Sequence, residues 1–330
     1  LISANPELYD LSCFEAILLI TFAANVSYPE CNLLNEYLLK RWAMALCVVC
    51  VGVCLTGCVK PQEKGRPEAR VSAGWNNYRI GEFALAVKDF QYAAAHVPQG
   101  SPVHLAALYG EASTWHLRRP DEDFVRAIQL YRQIIDLAPT NELAAWSWLG
   151  LARIMALPVN GENPELKLQL AAYQEVINRF PYHPVGEEAF LMQQVALLDV
   201  PDMTRTREVL DVLQGFIKTH PISPWRSAAY GLVSHCGAVL GLDDLRMEAT
   251  LQGWKTAEID PRNPVQDLAW TYWQIATRAE FGVGDFELAR EYYRKLIKEY
   301  ASDQKVFLAK QELKRMDELE ARLQVEDAKP

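Results

Sequence analysis

The chain has 330 residues, half of them apolar, with 33 basic and 42 acidic side chains and a formal net charge of -9. That is enough apolar material for a core, in one extended domain or two smaller ones, and the acidic balance weighs against a nucleic-acid binder, which presents a basic face. Cysteine use is lopsided: Cys13, Cys31, Cys47, Cys50, Cys54 and Cys58 precede a single later one, Cys236. A disulfide scaffold would spread its cysteines through the fold. Cys47 and Cys50 have CxxC spacing, but valines lie between them and no second ligand pair is near, so no metal or redox site is expected there.

In chain order, residues 1–39 form an extension of doubtful standing. It carries the apolar run FEAILLITFAANV, too short to span a membrane with ease. Either the start is placed too early or this is an extra membrane segment. Lys40 and Arg41 then precede WAMALCVVCVGVCLTG, an uncharged run short for a membrane span but suited to the apolar region of a signal peptide. Residues 40–57 are therefore expected to be a signal peptide, with an uncleaved anchor or a buried apolar helix as the alternatives. The run ends in Leu55-Thr56-Gly57-Cys58, which resembles the bacterial lipobox. That resemblance implies lipidation at Cys58, which becomes the mature N-terminus. Val59 in the next place implies sorting to the bacterial outer membrane, facing the periplasm. Residues 58–67 are polar and rich in turn formers, as a tether would be.

From residue 67 onward, apolar periodicity predicts helices of about three to five turns, separated by short breaks, with few alternating runs of the kind strands need. The segments VSAGWNNYRIGEFALAVKDFQYAAAHVPQG (71–100) and WTYWQIATRAEFGVGDFELAREYYRKLIKEY (270–300) share one phrasing. Gly81-Glu82-Phe83 aligns with Gly284-Asp285-Phe286, Ala86 with Ala289, and Phe90 with Tyr293. These units resemble tetratricopeptide repeats, in which small residues let paired helices approach and an aromatic fills the junction. The resemblance puts the small first-helix residue at Gly74, with Thr277 and Trp273 at family positions in the last unit. Trp146, Leu149 and Gly150 stand at the family's W-x-x-L-G spacing, and Ala127 and Tyr131 occupy the second-helix positions of another unit. The expectation is an all-α, tetratricopeptide-like helical-repeat solenoid over residues 68–325. It would have about six helix pairs, a charged amphipathic C-terminal capping helix and a flexible tail at 326–330. A helix pair cannot bury its apolar face alone, so stacking supplies the core.

The phrases YQEVINRFPYHP, LQGFIKTHPISP and YYRKLIKEYASD are similar to those of the lipoprotein of the outer-membrane β-barrel assembly machinery, and of a periplasmic repeat protein that works beside the Tol system. This resemblance implies a role in envelope biogenesis.

No enzymatic constellation is legible. The histidines are scattered; His183 and His220 sit beside prolines at repeat-end turns, where a structural or surface role is expected. Cys236 reads as a small buried hydrophobe. Acid pairs lie mostly at helix starts, where unpaired first-turn N–H groups favour carboxylates. The expected function is a non-enzymatic scaffold for a protein or peptide partner, with no cofactor, metal or nucleic acid. The alternatives are a lipid-anchored hydrolase of cell-wall polymers, which needs convergent carboxylates of unequal pKa, and a purely structural envelope protein. First-helix phasing and family position put Trp75, Tyr78, Leu151, Ile154, Gln274, Arg278 and Phe281 on a concave binding face, with a core role also open for Trp75.

Overall fold

The computed structural model describes residues 65–118, 122–157, 165–199, 202–259 and 267–327, with side chains to Arg322. The doubtful extension, the signal peptide, Cys58 and most of the tether lie outside the described residues. Among the described residues thirteen α-helices follow one another: α1 (Pro67–Arg79), α2 (Phe83–Ala95), α3 (Pro102–Leu117), α4 (Phe124–Leu137), α5 (Glu142–Met155), α6 (Leu166–Arg179), α7 (Pro184–Leu198), α8 (Met203–Thr219), α9 (Arg226–Leu240), α10 (Asp243–Thr256), α11 (Leu268–Arg278), α12 (Phe286–Glu299) and α13 (Lys305–Asp327). No strand occurs among the described residues. The fold is all-α and built of tetratricopeptide-like helix pairs, six of them in chain order before the terminal helix.

Local chemistry explains where the helices begin. Pro67, read above as the end of the tether, heads α1, where a missing N–H costs nothing. Side-chain caps accept from first-turn N–H groups at Ser101 for α3, Asn141 for α5, Asp202 for α8 and Asp285 for α12. His183 caps α7 in the same way, its ring nitrogen accepting from the Val185 N–H at 3.2 Å. Gly81 and Gly284, which the sequence aligned, both have φ in the left-handed region, at +82° and +72°. Gly241 joins them at +70°, marking a third turn of the same kind between α9 and α10.

Two features depart from the expected pattern. The first helix of the last pair continues into a π-helical turn over Ala279–Val283, which closes when the Asp285 N–H donates to the Ala279 carbonyl at 2.8 Å. The terminal helix runs to Asp327, so residues 326 and 327 of the expected tail are helical.

The chain divides into two compact units, one extending to Leu130 and the other from Tyr131 to the end. In the first, α1, α2 and α3 pack on one another around Ala86, Phe90 and Ala93. In the second, successive helices from α5 to α13 pack in order. The end of that unit has a core of Ile275, Ala276, Ala279, Ala289, Tyr293, Leu296 and Met316. Among the described residues no helix is long and apolar enough to cross a membrane.

Candidate functional site

The helix junctions are built on glycine against an aromatic ring. In the first unit Phe90 is fully buried between α1 and α3. A methyl group on Gly74 would come within 2.6 Å of its ring, and one on Gly110 within 2.4 Å. One ring thus occupies the space that two glycines leave. In the second unit a methyl group on Gly150 would come within 2.7 Å of the Tyr131 ring. The last pair replaces glycine with Thr277. There Tyr293 is buried against Trp273, ring centroids 5.5 Å apart, and its hydroxyl donates to Glu280 at 3.0 Å. Ala127, Trp146, Leu149 and Ala289 are buried too, and Gly81 and Gly284 make exposed left-handed turns.

The side chains expected on a binding face fall into different environments. Trp75 is half-buried in an aromatic cluster, edge-on to Phe90 at 5.3 Å and to Tyr78 at 5.6 Å, and its indole N–H is buried without an acceptor. Tyr78 is half-buried against Phe83. Ile154 is only 8% exposed, so its side chain fills the interior and offers nothing to a groove. Leu151 is half-buried. Gln274 and Arg278 are half-buried one turn apart on α11, and Phe281, on the π turn that follows, is 65% exposed. Those three lie along a single helical run. Trp75 and Tyr78 belong to the other unit.

Sequence reading missed the ionic chemistry inside the helices. Four buried acids, Asp89, Glu111, Glu188 and Glu280, are each met by an arginine: Arg70, Arg126, Arg153 and Arg315. Glu111 also accepts from Gln91 at 2.8 Å and from the Trp115 indole at 3.2 Å. Glu188 and Arg153 keep one oxygen and one nitrogen, Oε2 and Nε, without a partner. Burial pushes the neighbouring Tyr173 phenol up, and the Arg153 charge offsets part of that. The legible signal was an acid inside an otherwise apolar helix, as in AALYGEAS (106–113) around Glu111. Such an acid needs a partner to be buried at all. Cys236 is buried, and burial pushes its thiol up to about 11, the opposite of what a nucleophile needs.

Residues 267–303, which span α11, the π turn and α12, match the tetratricopeptide repeat family. Among solved structures, the chain is similar to PilW, described as a widely conserved type IV pilus biogenesis factor. The identity is 12%, covering 73% of this chain and 97% of that one, with a TM-score of 0.48. No curated protein matches the chain in sequence.

Proposed function

We propose that the protein is a non-catalytic scaffold of the bacterial envelope, which binds a protein or peptide partner through its helical repeats. The observation that carries this reading is the last repeat. Its packing positions Ala289 and Tyr293 are buried, while Gln274, Arg278 and Phe281 keep exposed surface beside them. An amide, a cation and an aromatic ring along one helical run can anchor a peptide through hydrogen bonds, charge and apolar contact together. The buried acids favour this reading over hydrolysis. Each is held by an arginine, whereas glycoside hydrolysis needs two facing carboxylates of unequal pKa.

The finer part of the proposal is lipid attachment at Cys58, outer-membrane sorting through Val59, and work in outer-membrane protein assembly. It is supported by the lipobox resemblance of Leu55-Thr56-Gly57-Cys58 and by the repeat-end phrasing. Acyl chains would hold the protein at the membrane, each buried methylene contributing about 0.8 kcal/mol, and raise its effective concentration near a membrane-bound partner. Metabolic labelling with palmitate tests the anchor: label is expected on the wild type and lost in Cys58→Ala, and equal labelling of both refutes it. Affinity purification from detergent tests the role. Components of the barrel-assembly machinery are expected to co-purify; a different stable partner in their absence refutes the assembly role.

A further inference from the structure

The face where α9, α10 and α11 follow one another carries two arginines, Arg246 and Arg278, that make no ion pair among the described residues. Ser234 and His235 stand on α9, Arg246 and Thr250 one turn apart on α10, and Arg278 at the end of α11. Gly237 brings the α9 and α10 backbones together here; a methyl group on it would lie 3.1 Å from the main-chain nitrogen of Arg246. Arg278 donates from Nη1 to the Thr250 hydroxyl at 2.7 Å. That hydroxyl in turn donates to the Arg246 carbonyl at 2.7 Å and lies 3.0 Å from the buried Ser234 hydroxyl.

A guanidinium has five N–H donors. Thr250 takes one from Arg278, and among the described residues neither Arg278 nor Arg246 makes an ion pair. The acid nearest to Arg278 in sequence, Glu280, has both oxygens engaged, one by Arg315 and the other by Tyr293. Burial, and to a smaller extent the Arg246 charge, together lower Arg278 to about 10; the same two causes lower His235. Two partly buried like charges beside an orienting hydroxyl are costly by themselves. They become favourable when an anion neutralises them through charge-assisted hydrogen bonds.

We propose that Arg246 and Arg278, with the Thr250 hydroxyl fixing the Arg278 fork, form a binding site for an oxyanion. The ligand group is a carboxylate or a phosphate, since both match the planar donor fork. Its two sources are an acidic side chain of a bound peptide and phosphate free in solution. The site stands or falls independently of the scaffold reading, because it is defined by small-probe binding and not by partner capture.

Isothermal titration of the full chain in detergent tests it with two probes, inorganic phosphate and an acetylated, amidated Gly-Glu-Gly peptide, each against sodium chloride at equal ionic strength. Saturable binding of at least one probe is expected, weakened about tenfold or more in Arg278→Gln and in Arg246→Gln, as loss of a charge-assisted bond requires. A preference for the peptide identifies a carboxylate source, and a preference for phosphate the free anion. Absence of saturable heat with both probes overturns the site, as does unchanged binding in both variants. Melting in chloride supplies the control. Arg278→Gln is expected to melt no lower than the wild type, because the substitution relieves repulsion. A clear fall would mean that Arg278 is already neutralised within the fold, and would also overturn the proposal.

Discussion

A methyl group on Gly186 would lie 2.1 Å from the carbonyl oxygen of Phe180, a backbone atom of the turn that feeds α7. A backbone carbonyl cannot swing aside as a side chain can, so the chain itself must shift. Gly186→Ala is therefore expected to cost about 1–3 kcal/mol, the range for overpacking. Gly215, on the exposed side of α8, has nothing within 4 Å of its would-be methyl group. Gly215→Ala is expected to add about 0.5–1 kcal/mol through helix propensity alone. Urea unfolding of the two variants reads both signs. The small-aromatic spacing made Gly74 and Phe90 legible in the sequence. Gly110, which contacts the same ring, went unassigned because the unit around it carried no matching first-helix signature. Gly186 was illegible for a different reason: its obstacle is a main-chain oxygen, which no residue pattern displays. His104 is another case. Burial lowers its pKa from the ordinary 6.5, and its Nδ1 accepts from the Gly100 N–H at 3.3 Å. Above the unfolded value both states are neutral and the stability is fully present. As pH falls through that value the unfolded chain takes up the proton first, and stability is lost until the lower native value is passed. The melting temperature of the wild type is expected to fall more than that of His104→Asn between about pH 7.5 and about pH 5; equal falls would show that His104 does not titrate differently on folding.

Among the elements, α13 is held to the last repeat by charge as well as by apolar packing. Val306, Ala309 and Met316 enter the core, while Arg315 reaches the buried Glu280 and Arg290 on α12 reaches Glu320 at 2.6 Å and Asp317 at 3.4 Å. The terminal helix was legible from its amphipathic, charged pattern. Its ion pairs were not, because Glu280 lies 35 residues from Arg315 and its place inside the fold depends on the π turn. That turn carries Ala279 and Glu280 into the interior while leaving Phe281 outside. The pair predicts an asymmetry. The Glu280 side chain is 1% exposed and that of Arg315 is 43% exposed. Arg315→Ala strands a buried carboxylate with only the Tyr293 hydroxyl, at an expected cost of about 3 kcal/mol. Glu280→Gln keeps a hydrogen-bond partner for Tyr293 and leaves Arg315 able to turn to water, at about 1 kcal/mol. Chemical denaturation of the two variants gives the order; a larger loss for Glu280→Gln would contradict it.

On the scale of the whole molecule, the repeated helix pair does two things at once. It consumes the small and aromatic positions in packing, and it leaves other first-helix positions with surface to spare. The all-α class and the order of six pairs with a terminal helix were legible, because apolar periodicity, turn glycines and caps all pointed to the same elements. The binding face was less so. Phasing alone could not separate Ile154, which is buried, from Phe281, which the π turn pushes outward. The central claim is that the last repeat takes a partner on the run from Gln274 to Phe281. The direct measurement is site-specific photocross-linking in intact cells, with benzoyl-phenylalanine placed at Phe281 and, as the control, at the exposed Glu287 on α12. The account predicts a discrete adduct from position 281 and none from position 287. Equal adducts from both positions, or none from 281, would contradict it.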